Sequence, residues 1–85
     1  MKILHLIRTP HETLARDLAG HQQAAHEVSV LLLQDGVFGS PAVGSLPVYT
    51  LRADLEARGL PAGPRAIDYD GAVRLIAEHD RVVVW

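Results

Sequence analysis

The chain has 85 residues, no cysteine, and eight basic against ten acidic side chains, a formal net charge of −2. That length supports one domain, 1–85, whose core is thin, since a chain this small buries only about 60 % of its unfolded surface. The lack of thiols excludes a disulfide framework, a cysteine-based zinc site, a thiol nucleophile and a persulfide carrier, and the near-neutral charge argues against direct nucleic-acid binding or an anionic membrane surface. Apolar residues make up 48 % of the chain, mostly Leu, Val, Ala and Ile, which is too high for disorder. The opening MKILHLIRTP lacks the apolar region and small-residue cleavage site of a signal peptide. No run approaches the roughly 20 apolar residues that span a bilayer. The expected location is the cytoplasm.

Residues 2–7, KILHLI, read as a first strand. TPHE then looks like a helix start: Thr9 in the capping position, Pro10 at the first helical position, and Glu12 completing a capping box. Leu14 and Leu18, with Ala15, Ala19 and Ala25, supply the apolar stripe of that helix, and Gly20 weakens its far end. Residues 28–33, VSVLLL, have the β-branched, fully apolar pattern of a strand covered on both faces. The Gly-, Ser- and Pro-rich stretch from Gly36 to Pro47 is a loop with room for one short helical turn. VYTL, 48–51, is a third strand. RADLEARGL is a short helix with Leu51 and Leu55 on one face, Gly59 as left-handed stop and Leu60 as the contact after it. A linker, PAGPR, leads to a fourth strand at 66–69. Asp70 is expected to cap the last helix, with Val73, Ile76 and Ala77 as its buried stripe. RVVVW supplies a fifth strand at 81–84. Crossovers of this length predict an α/β fold with a five-stranded parallel sheet and helices on both faces.

Asp35, at the tip of the second strand, is the first candidate for chemistry, because ligands of open parallel sheets gather at the carboxyl ends of strands. A phosphoacceptor would need a second acid and a lysine nearby, and the only lysine is Lys2. Asp-Gly turn chemistry, with Asp bonding its own backbone and Gly supplying a positive φ, is the simpler expectation. Among the histidines, His21 and His26 are five apart and miss the i, i+3 or i+4 spacing of a helical metal pair. His5 fits a core histidine bonded to backbone. The glycines at 36, 39 and 44 match neither the dinucleotide fingerprint nor the P-loop. No catalytic, metal-binding or cofactor-binding residue is assigned.

Four segments in this order and spacing carry a resemblance over nearly the whole chain: ILH followed by TPHE, then LLLQDGV, VYTLRADLEARGL, and IDYDGAVRLIAEHDRVVVW. Together they resemble the DsrH/TusB family, the small members of the DsrE-like sulfur-relay proteins. The resemblance implies a three-layer α/β/α fold with a five-stranded parallel sheet. It implies partnership with DsrE/TusD-like and DsrF/TusC-like subunits in a heterohexamer built from two copies of each. Such complexes pass sulfur as a persulfide, towards tRNA wobble-uridine 2-thiolation or within dissimilatory sulfur oxidation. The sulfur-carrying cysteine belongs to the DsrE/TusD-type subunit. Some DsrH-type relatives carry a cysteine in the first helix, where this chain has HETLARDLAGH. The departure favours the TusB-like, non-carrier version, with no catalysis by this chain alone.

Gln34, Asp35, Gly36, Val37, Phe38, Tyr49 and Trp85 are the candidate interface or signature residues. An oligomer is expected, because Val37, Phe38, Val43 and Leu46 make an apolar loop and Val82 to Trp85 an apolar strand. Without its relatives the chain should form a homodimer. The competing expectation is a stand-alone homo-oligomer of DsrE-like fold, with a binding or regulatory role unconnected to sulfur.

Overall fold

A computed structural model describes residues 1–39 and 43–85. The elements run β1 (Lys2–Ile7), α1 (Thr13–Gln22), β2 (Glu27–Leu32), a 3-10 turn (Gln34–Phe38), β3 (Val48–Leu51), α2 (Arg52–Ala57), β4 (Ala66–Ile67), α3 (Tyr69–Ala77) and β5 (Arg81–Val84). The five strands form one sheet in the order β4-β3-β2-β1-β5. Every pairing is parallel, with β1 and β2 in register from Lys2–Glu27 to Ile7–Leu32. Because side chains alternate across a strand, β1 and β2 feed both faces of the sheet at once. Ile3, Ile7, Val28, Val30 and Leu32 pack under α1 and α2. Leu4, Leu31 and Leu51 pack under α3. The result is a three-layer α/β/α architecture. Leu4, Ile7 and Leu32 are fully buried, each contributing roughly 2–3 kcal/mol of apolar transfer.

Several expectations about the helices are corrected. The first helix begins at Thr13, not at Pro10, and Glu12 in the capping position makes no side-chain capping bond. Gly39 lies against the Pro10 carbonyl, where a Cβ would come within 3.1 Å. The segment before the helix is therefore committed to packing on the 3-10 turn. The buried face of α1 is Ala15 and Ala19, while Leu14 and Leu18 are exposed. Val37, Val43 and Leu46 reach the same core, so the helix approaches on its small residues. Those three therefore belong to the chain's own interior, and only Phe38 of the apolar loop stays in solvent.

In α3 the cap is Asp68, not Asp70: its Oδ1 accepts from the Gly71 N–H at 2.7 Å. β4 stops at Ile67, so the helix starts earlier than a strand reaching 69 allows. Gly71 seats one flank against Ile67, where a Cβ would lie 3.1 Å from the Ile67 Cβ. In this helix Ala72 and Leu75 are buried against the sheet, while Val73, Ile76 and Ala77 are exposed. The end of α2 follows expectation. Gly59 has φ +66°, its N–H bonds the Glu56 carbonyl, and the Leu60 N–H returns to the Leu55 carbonyl at 2.9 Å. This is the paired-bond helix stop, with Leu60 packed on the core that holds Leu55.

Candidate functional site

The carboxyl ends of the strands carry two constructions, one beyond β2 and one between β1 and β5. The first is the Gln34–Phe38 turn. Gln34 adopts a positive φ of 52°, an unfavourable conformation for a residue with a Cβ. It aims the Gln34 N–H at Asp54 Oδ2, 2.6 Å away. Arg58, one helical turn beyond Asp54, ties the two acids together. Its Nε and Nη2 each lie 3.0 Å from Asp35 Oδ1. Its Nη1 donates to the Asp54 carbonyl at 3.1 Å and lies 3.6 Å from Asp54 Oδ1. The guanidinium also sits 5.9 Å from the Phe38 ring centroid, within cation–π range. Asp35 itself is open to solvent, its side chain 67 % accessible, so this pair is worth no more than about 1 kcal/mol.

The turn differs from the expected Asp-Gly geometry. Asp35 bonds the Arg58 side chain, and Gly36 is not at positive φ. Gly36 is required for space: a Cβ there would overlap the Ile7 carbonyl oxygen and lie 3.0 Å from the Ile7 carbonyl carbon. The apolar strand ends on Gln-Asp-Gly because the chain must pass directly over the end of β1. Lys2 opens β1 at the opposite end of the sheet, so no lysine serves Asp35 as it would in a phosphoacceptor site.

The second construction is built on Trp85. Strand order reverses between β1 and β5, the position where open α/β sheets ordinarily hold ligands. Here the chain occupies it. The Trp85 N–H donates to the Leu6 carbonyl at 2.9 Å, and Arg8 Nε donates to the Trp85 backbone oxygen at 2.8 Å. The Trp85 indole N–H donates to His5 Nδ1 at 2.9 Å. An indole N–H can only donate, so His5 Nδ1 accepts, and the proton of the neutral ring resides on Nε2. That Nε2 meets Gln22 Oε1 at 2.6 Å. His5 is fully buried. It is a core histidine as expected, but its partners are side chains, not backbone.

The candidate residues thus fall into three places. Gln34 to Phe38 gather on α2, with Gly36 and Val37 buried and Asp35 and Phe38 exposed. Trp85 stands at the β1–β5 edge. Tyr49 lies apart, on the α3 face, half-buried, with the Arg65 guanidinium 5.5 Å from its ring centroid. Arg58 and Asp54 were not singled out from sequence, although their i, i+4 spacing on a short helix signals a pair. The link between His5 and Trp85 spans 80 residues and leaves no local signal. Among the described residues no three His, Asp or Glu side chains are grouped to hold a metal ion, and no helix is long and apolar enough to cross a membrane.

Comparison with known families finds a match to the model described as DsrH like protein, over residues 17–82. The match takes in LLLQDGV, the α2 segment, the whole of α3 and the first half of β5, and leaves out the first strand and Trp85. A comparison with curated proteins returned no match.

Proposed function

The chain belongs to the DsrH family, which gives it a sulfur-relay-related role, and from that premise we propose that it is a non-carrier subunit of a sulfur-relay complex. In this reading it works beside DsrE/TusD-like and DsrF/TusC-like subunits in a cytoplasmic heterohexamer. The relay it supports delivers persulfide sulfur towards tRNA wobble-uridine 2-thiolation or a related acceptor. The observation that carries the reading is the absence of any cysteine in a member of a family concerned with sulfur transfer. A persulfide needs a thiolate to attack and to hold the sulfur. The only sulfur here is the thioether of Met1, which cannot form one.

The contribution of such a chain is surface. Phe38, beside the Arg58 guanidinium, and Trp85, fixed by His5 and Arg8, are the features we assign to docking, with Gln34, Asp35, Gly36 and Val37 shaping the turn behind them and Tyr49 serving the opposite face. Asp35 has no catalytic part in this reading: it is exposed, and its one bonded oxygen faces Arg58. Without its partner subunits the single domain, 1–85, self-associates as a homodimer.

The test is a reconstituted transfer. Incubated with a cysteine desulfurase and its substrate, the chain alone should gain no sulfur adduct by mass spectrometry. Mixed with a cysteine-bearing DsrE-type partner, the adduct should form on the partner, and onward transfer should fail when this chain is omitted. Transfer that proceeds unchanged without it would refute the subunit role and leave a stand-alone homo-oligomer as the better reading. Asp35→Asn should leave the transfer unchanged.

A further inference from the structure

The two rims of the sheet are built differently. β4 is two residues long and follows Pro61, Gly63, Pro64 and Arg65. Arg52 Nη2 also donates to the Ala66 carbonyl at 3.2 Å. Shortness, proline and charge are the devices by which natural sheets refuse a further strand. β5 is twice as long, and after Arg81 it carries neither proline nor charge: the rest of it is Val82, Val83 and Val84.

The ladder says which backbone groups β5 offers. Leu4 is in register with Val82 and Leu6 with Val84, and the Trp85 N–H bonds the Leu6 carbonyl. In a parallel pair, alternate residues of a strand turn both groups to the neighbour. Val83 and Trp85 therefore face β1, while Val82 and Val84 turn their N–H and C=O away from the sheet. Among the described residues no strand meets them, and Val84 is 58 % exposed.

This edge is also held in place. A short edge strand frays unless tied down. Trp85 is tied by the Leu6 carbonyl, by Arg8 and by buried His5, which is anchored in turn to Gln22 of α1.

We propose that β5 is the self-association edge of this chain, pairing antiparallel with β5 of a second copy about a two-fold axis through Val83. The proposal rests on the homodimer reading above and names its surface. About that axis Val82 faces Val84 of the second copy, and their outward N–H and C=O groups bond each other. Arg81 faces Trp85 of the second copy on the same side of the sheet, since 81, 83 and 85 alternate together. Arg81 is exposed, so its guanidinium meets the indole of that Trp85 across the pair. Each end of the strand supplies what the other end lacks, and this self-complementarity selects a second copy as the occupant.

The test begins with light scattering at micromolar concentration, where the wild-type chain should be a dimer. Val84→Pro removes one outward donor and leaves the β1-facing groups intact. Val84→Lys places a charge on the rim without touching the backbone. Both should weaken dimerisation by about tenfold or more, with unchanged far-UV circular dichroism for Val84→Lys. Because the chain has no cysteine, Val83→Cys gives a direct check of register. Facing Val83 positions form a non-hydrogen-bonded pair about 4.5 Å apart at Cα, within disulfide reach. Oxidation should yield a cross-linked dimer, and Val73→Cys on α3 should not. A wild-type dimer that survives both Val84 variants, or that fails to cross-link through Val83→Cys, overturns the β5 assignment alone. A monomeric wild type overturns the homodimer reading with it. Neither result bears on the persulfide-transfer assay, which tests the relay role separately.

Discussion

Replacing Gly36 by alanine isolates the reason for a glycine at the tip of β2. The new Cβ would overlap the Ile7 carbonyl oxygen, with the Ile7 and Arg8 carbonyl carbons 3.0 and 3.3 Å away. All three atoms belong to the backbone of β1 or the residue directly after it. β1 lies between β2 and β5 and cannot yield without breaking two ladders, so the 3-10 turn must move. An outward shift unseats Val37, now 7 % exposed, and stretches the 2.6 Å bond from the Gln34 N–H to Asp54. Partial exposure of a valine costs about 1–2 kcal/mol, and a weakened bond to a carboxylate about 1.5 kcal/mol. The expected loss is therefore about 3 kcal/mol, the upper end of ordinary overpacking. For a domain of this size that lowers Tm by about 15 °C. Thermal unfolding followed by circular dichroism, with urea titration for the free energy, measures it. Gly20→Ala is the control: a Cβ there meets nothing within 4 Å, and the substitution in α1 should stabilise by about 0.5–1 kcal/mol. A Gly36→Ala protein within about 1 kcal/mol of wild type would refute the close-approach argument.

Three further outcomes are expected. Gly59→Ala should cost about 1 kcal/mol in urea unfolding, because φ is +66° while the space around a Cβ is open, so the penalty is purely conformational. Asp68→Ala should cost about 1 kcal/mol by removing the α3 cap, and Asp70→Ala, which removes no cap, should fall within about 0.5 kcal/mol of wild type. His5→Leu and Trp85→Phe should each cost about 2 kcal/mol, by leaving the buried partner without its bond. The double variant should then cost clearly less than the sum, and additive costs in the unfolding cycle would show that the two residues are not coupled.

The strands were legible in the sequence because their signals are local. Runs such as KILHLI and VSVLLL are apolar at consecutive positions, as strands covered on both faces must be, and the structure places them within a residue of the expected bounds. The Gly59 stop was legible for the same reason, since the left-handed residue and its hydrophobic follower are adjacent. The candidate site was less so. Gln34, Asp35 and Gly36 announce a turn, but its form depends on the Ile7 carbonyl below and on Arg58 beside it, both distant in sequence. Trp85 was legible as a feature, and its partner His5 was not, because β1 and β5 become neighbours only when the sheet reverses direction.

The helix faces failed for a different and more informative reason. Leu14 and Leu18 on α1, and Val73 and Ile76 on α3, have the spacing of a buried stripe, yet all four are exposed. The buried positions are Ala15 and Ala19, and Ala72 and Leu75. In each helix the apolar arc is wider than one sheet can cover, and small residues win the sheet because they allow closer approach. An arc that wide is characteristic of a helix covered on more than one side. Phe38 and Val84 extend the same surplus beyond the helices. A core-forming rule cannot account for it, since the 3-10 turn and the following loop already fill the core space with Val37, Val43 and Leu46. Cover by partner subunits or a second copy, as proposed above, would account for it.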